Sequence, residues 1–205
     1  MIALIAYAST THRTSKIKRS TNETRVTVDV NIDGTGKTAV KTGLSFIDHL
    51  IVAIGKHSMV DITLTATSID GILHHLVEDV SIALSQSIDT ALADRSRITR
   101  YGYAVVPMDE SLAYVAIDLI KRQFYNMQLN LTEGAIEGIP CEDLEHFVRS
   151  LIQNLNACIH IVVQYGNNDH HKIESAIKAF AVAFRMAANI DEKRGEEVPS
   201  TKGVM

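Results

Sequence analysis

The feature that most constrains this chain is the phrase His74-His75-Leu76-Val77-Glu78-Asp79, which returns as His170-His171-Lys172-Ile173-Glu174. Two adjacent imidazoles with a carboxylate three and four positions on form a donor set, because on a helix both spacings bring side chains onto one face. The spacing therefore predicts both histidines of each pair within reach of one ion. The copying extends upstream: Asp48-His49 lies 25 positions before His74, and Glu145-His146 lies 24 before His170, each inside an apolar run of helical period. A single histidine in such a run is ordinarily a packed core residue. Six in two matching sets, with trailing glutamates, instead indicate a unit duplicated at about half the chain length.

A chain of 205 residues can form one generous domain or two tightly packed halves. Its net charge of −4 gives no reason to expect a nucleic-acid partner. Cys141 and Cys158 lack C-x-x-C spacing and are read as reduced core thiols of a cytoplasmic protein. The opening Met1 to Ala8 is apolar but too short to span a bilayer, and its basic residues follow it rather than precede it. Residues 1–12 are expected to be a short extra segment, with no membrane partner.

The stretch from Arg13 to Ile32, with its alternation from Thr24 onward, predicts a strand, and Asp33-Gly34-Thr35-Gly36 a hairpin turn returning through residues 37–42. Helical period over 44–57, a strand over 60–67 and a helix over 76–92 follow, with His74 and His75 at the mouth of that helix. The second half replays the order: strands at 101–108, 111–119 and 123–131, a helix over 141–156, a strand over 158–165 and a helix over 170–188. The expected architecture is α+β, with two duplicated halves (13–97 and 98–190) related by a pseudo-two-fold. Each half is a mostly antiparallel, ferredoxin-like sheet with helices packed on one face. An irregular arm, 191–205, closes the chain. No linker rich in Pro, Gly or Ser divides the halves, so one compact unit is expected.

Six histidines and two glutamates give two ions four protein ligands each and leave open positions on an octahedral metal. The absence of thiolates disfavours structural zinc and favours a harder ion such as manganese, with iron and zinc as competitors. Open positions suit a Lewis acid or template. Arg100, Arg122, Lys178 and Ser200-Thr201-Lys202 are anion-binding candidates; Lys178, four residues after Glu174, shares its helix face. A phosphate-bearing substrate fits them. A two-metal hydrolase would use similar residues, although such enzymes usually bridge their ions with a carboxylate and this set is dominated by histidine. A non-catalytic assembly or storage protein would not need the basic candidates.

Several stretches point further: Asn31-Ile32-Asp33-Gly34-Thr35-Gly36, Asp48-His49-Leu50, the first His pair with Glu78-Asp79, Pro107-Met108-Asp109-Glu110, Glu145-His146-Phe147, Asn168-Asp169 with the second His pair, and Pro199-Ser200-Thr201-Lys202-Gly203. Through them the chain, from about Arg13 onward, resembles the imidazoleglycerol-phosphate dehydratases of histidine biosynthesis. The resemblance implies a lyase converting D-erythro-imidazoleglycerol phosphate to imidazole acetol phosphate with two manganese ions per active site. One ion would take His49, His75, His170 and Glu174, and the other His74, His146, His171 and Glu78. Substrate contacts would fall on Glu23, the segment from His49 to His57, Arg100, Arg122, Lys178, Ser200, Thr201 and Lys202.

By the same resemblance the substrate's ring serves as electron sink: as a metal-bound imidazolate it expels the neighbouring hydroxyl, and loss of the next C–H proton gives an enol that ketonises. Glu23 would be the acid or base, with Glu174 a lesser candidate. The family forms a hollow particle of roughly 24 chains, its metal sites completed at subunit contacts. One departure stands out. The family reaches its first His pair through Ile-Asp-Asp, whereas Gly71-Ile72-Leu73 precede His74 here. Carboxylates behind ligating histidines orient them, so metal affinity or rate is expected to change.

Overall fold

The computed structural model describes residues 5–8, 13–132, 134–195 and 197–203. The first half runs β1 (Ile5–Ala8), β2 (Thr14–Ser20), β3 (Thr24–Asn31), β4 (Thr38–Lys41), α1 (Ser45–Ser58), β5 (Asp61–Ser68) and α2 (Leu73–Ala91). The second runs β6 (Tyr101–Met108), β7 (Ser111–Asp118), β8 (Phe124–Gln128), a small β9–β10 hairpin (Ala135–Ile136 and Ile139–Pro140), α3 (Cys141–Gln153), β11 (Cys158–Tyr165) and α4 (Asp169–Ala188). The sheets are ordered β1-β2-β3-β5-β4 and β6-β7-β11-β8. Apart from the added edge strand β1, both carry two antiparallel pairings and then one parallel pairing, which is the duplication made visible. Each half keeps the ferredoxin-like layering, two helices on one face of a four-stranded sheet, in the chain order β-β-β-α-β-α.

The alternation in sequence becomes alternation in burial. Val26, Val28 and Val30 face inward from β3, and Ala113, Val115 and Ile117 from β7. Onto these faces the helices pack, α2 over β2 and β3, α4 over β6 and β7. The halves then meet helix to helix: α1 lies against α4 and α2 against α3, giving the layers sheet, helices, helices, sheet. Gly102 lets α4 rest directly on β6, since a Cβ there would stand 1.9 Å from the Ala183 carbonyl oxygen.

Two expectations are corrected. The Asp33–Gly36 turn does not close a hairpin: β5 lies between β3 and β4, and β4 runs parallel to β5, with Thr38 opposite Ile62. The Asp61 carboxylate draws the connection across the end of β5 by accepting from the Thr35 and Lys37 N–H groups at 2.8 and 2.7 Å. The stretch before Thr24 also holds a separate strand, β2, turned back by Thr21, whose Oγ1 accepts from the N–H groups of Glu23 and Thr24. Of the extra segment 1–12, β1 pairs antiparallel with the edge of β2, while 1–4 and 9–12 lie outside the described residues. The arm bears a 3-10 turn, Glu192–Arg194; 196, 204 and 205 lie outside the description. Among the described residues no helix is long and apolar enough to cross a membrane.

Candidate metal centre

The second His pair is set by its helix cap. The Asn168 side chain accepts from the backbone N–H groups of His170 and His171, which fixes both in the first turn of α4. Neighbours on a helix diverge by about 100°, and the two rings stand 6.0 Å apart at 81°. His170 turns toward α1. Its Nε2 lies 3.1 Å from Glu174 Oε2, one turn further on, and His49 Nε2 reaches the same oxygen at 3.3 Å.

The first pair repeats this arrangement with α2 and α3. His146 Nε2 lies 3.3 Å from Glu78 Oε1, and the His74 and His146 rings are 4.6 Å apart. In each group one donor atom from each residue falls within 4.8 Å of the others. Because α1 meets α4 and α2 meets α3, each group draws on both halves. His146 Nε2 is buried yet makes no hydrogen bond, despite the carboxylate beside it. A nitrogen in that condition is able to accept an ion.

His75 and His171 join neither group within the chain, so the expectation of both neighbours on one ion fails for the helical reason just given. His75 Nδ1 lies 2.6 Å from Asp70 Oδ2 and 3.8 Å from Glu23 Oε2. His171 Nδ1 lies 2.7 Å from Glu110 Oε2. These bonds raise the pKa of both rings, and the His171 bond, followed by the Asn168 N–H, holds Glu110 at about 2. The remaining two are backed in the same way: His74 Nδ1 by Asp143 at 2.6 Å and His170 Nδ1 by Glu137 at 3.2 Å. All four paired histidines thus direct Nδ1 at a carboxylate, the arrangement that orients a ligating imidazole, while the Nε2 of His170 faces Glu174 and that of His171 lies 3.6 Å from Asp109 Oδ2. Asp70, displaced in sequence, still reaches its ring in space. Asp143 and Glu137 were missed by sequence reasoning, for which only the excess of acids around the histidines was a signal; Glu110 stood in a quoted motif without a role.

The anion candidates separate into three places. Lys178 Nζ lies 2.8 Å from Glu174 Oε1. Burial pushes the Glu174 pKa up, but the Lys178 and His49 hydrogen bonds outweigh it and leave it lowered. His57 stands near, its pKa lowered by burial and by Lys178. Glu23 is exposed beside His75. Arg100 grips Asp118 at 2.7 and 2.9 Å and donates to the Pro199 carbonyl at 2.6 Å, holding the arm just before Ser200, Thr201 and Lys202. The Arg122 side chain is exposed.

The class of protein is an α+β body of two duplicated halves that carries two pseudo-symmetric His-His-Glu groups, rich in nitrogen donors and free of thiolates, each able to hold a metal ion. The family profile for imidazoleglycerol-phosphate dehydratase matches residues 42–184. Relatives of that name include one from Chlorobium chlorochromatii, 42% identical over 94% of this chain and 97% of the relative, and one from Dehalococcoides mccartyi, 40% identical over 95% and 98%. The solved structure of the Staphylococcus aureus dehydratase superposes with a TM-score of 0.77 at 26% identity, covering 86% of this chain and 99% of that one. The structure from Pyrococcus furiosus gives 0.75 at 35% identity, covering 92% and 99%. The chain belongs to the imidazoleglycerol-phosphate dehydratase family.

Proposed function

We propose that the chain is a cytoplasmic hydro-lyase that dehydrates D-erythro-imidazoleglycerol phosphate to imidazole acetol phosphate in histidine biosynthesis. The observation that carries this reading is the pair of His-His-Glu groups, each built across both halves, in a chain aligned with the dehydratases over nearly its whole length. The donors fit a hard divalent ion: imidazole nitrogens, with Nδ1 of the four paired histidines already at a carboxylate, one carboxylate in each group, no thiolate, and a buried Nε2 without a hydrogen bond. His49, His75, His170 and Glu174 would hold one manganese and His74, His146, His171 and Glu78 the other. The bound ions would supply Lewis acidity to the substrate's ring.

Within one chain each group has three of its four ligands. His75 and His171, outside both groups, would offer Nε2 to a neighbouring copy, in keeping with a large homo-oligomer of roughly 24 chains built by closed symmetry. Assembly would also gather the dispersed substrate contacts. Lys178 and His57 lie beside the first group, where the ammonium attracts a phosphate; Arg100, Arg122, Ser200, Thr201 and Lys202 offer a second cationic or hydroxyl-bearing surface. Glu23 would take the proton from the glycerol carbon, a role that its exposure beside His75 supports. Glu174, held by Lys178 and His49, is better suited to ligation than to proton transfer. In Glu23→Gln, manganese content stays at the native level while turnover of imidazoleglycerol phosphate falls by about 100-fold or more. Native turnover in that variant removes Glu23 from the chemistry, and no turnover in manganese-loaded native protein removes the proposed activity.

A further inference from the structure

Duplication makes every residue of one metal group the counterpart of a residue in the other: His74, Glu78 and His146 answer to His170, Glu174 and His49. Two neighbouring positions were not copied. Three residues before His49 stands Phe46, its ring 4.9 Å from that of His170. Three residues before His146 stands Asp143, its Oδ1 2.6 Å from His74 Nδ1. Four residues after Glu174 stands Lys178, bound to that ligand at 2.8 Å. Four residues after Glu78 stands the uncharged Ile82.

Both differences favour a cation at the same group. Asp143 is 6% exposed, and a carboxylate so far removed from water requires a partner. Its place in the first turn of α3 gives it the positive end of a helix. Yet its side chain reaches across the α2–α3 contact to a ring whose own preceding residues, Ile72 and Leu73, are apolar. Accepting from the Nδ1 proton, Asp143 sets the tautomer and plane of His74, aims Nε2 at Glu78 and His146, and strengthens it as a donor. His170 is backed by Glu137 at 3.2 Å, a side chain 60% exposed and so a looser constraint. Lys178, for its part, occupies Glu174, and any cation arriving there meets an ammonium.

We propose that the two metal groups of this chain are unequal: His74, Glu78 and His146 form the tight site, with Asp143 as the positioning residue of His74, and His49, His170 and Glu174 form the weak site, opposed by Lys178. The inference rests on the metal-binding reading above. At limiting metal the chain then holds one ion at the α2–α3 group and exchanges the other.

The test is titration of the metal-stripped, full-length chain with Mn2+, free ion being followed by electron paramagnetic resonance. Two affinity classes are expected. Asp143→Leu weakens the tight class about 10- to 100-fold and leaves the weak class in place. Asp143→Asn, which keeps the shape and an acceptor oxygen, loses less. Lys178→Met tightens the weak class. Two equal sites in the native chain, untouched by these variants, overturn the inference while leaving metal binding intact. Loss of metal-free thermal stability in both Asp143 variants with unchanged affinities assigns the residue to folding and overturns it also. Absence of any Mn2+ binding removes this inference together with the proposed function beneath it.

Discussion

Single side chains set directions in this fold. Asp61 does so for the backbone: burial alone would raise its pKa, but the Thr35 and Lys37 N–H groups it binds outweigh that and hold it below the usual carboxylate range. A folded pKa below the unfolded one contributes stability that is present above the unfolded value, near 3.9, and is lost as pH falls through the folded value. Asp61→Asn is therefore expected to cost about 1 kcal/mol at pH 7. The gap to the native chain should narrow in urea unfolding at pH 3; a gap unchanged between the two pH values contradicts this account. Residue by residue, the sequence was readable where duplication doubled the signal, as in the histidines and their trailing glutamates. Asp143 carried no such mark. An acid three residues before a histidine resembles any exposed helix position until the fold brings it to His74, 69 residues away.

Elements were mostly legible because their periods were clean, and β11 was expected over the residues it occupies. The failure at β4 has a physical cause: a glycine-bearing turn after a strand is local evidence for a hairpin, whereas pairing with β5 depends on the later strand and on Asp61. That α4 packs on its sheet was expected; how closely its backbone approaches β6 was not legible, since that distance depends on the residue facing it. Gly102 sets it. Gly102→Ala drives a methyl group into the Ala183 carbonyl at 1.9 Å, so the α4–β6 contact must open, at a cost of about 1–3 kcal/mol. Calorimetry should find Tm lowered by roughly 3–10 °C; a change within about 1 °C contradicts the close seating of α4.

On the scale of the whole molecule, the pseudo-two-fold explains why the His-His-Glu groups exist in duplicate: helix contacts between the halves bring three donors together in each, and helical geometry turns the adjacent histidine of each pair away. Under the proposed function those histidines would serve another copy, so assembly and metal binding are expected to be one event. Chelation is expected to reduce the particle to smaller species in analytical ultracentrifugation, manganese to restore it, and His75→Asn to block restoration. A particle of unchanged size after complete metal removal contradicts that coupling. The most direct measurement is the rate of imidazole acetol phosphate formation from imidazoleglycerol phosphate as manganese is returned to stripped protein. Turnover rising as bound metal approaches two ions per chain, and absent from His146→Asn at every metal concentration, is the predicted result. Turnover already full in the stripped protein would contradict it.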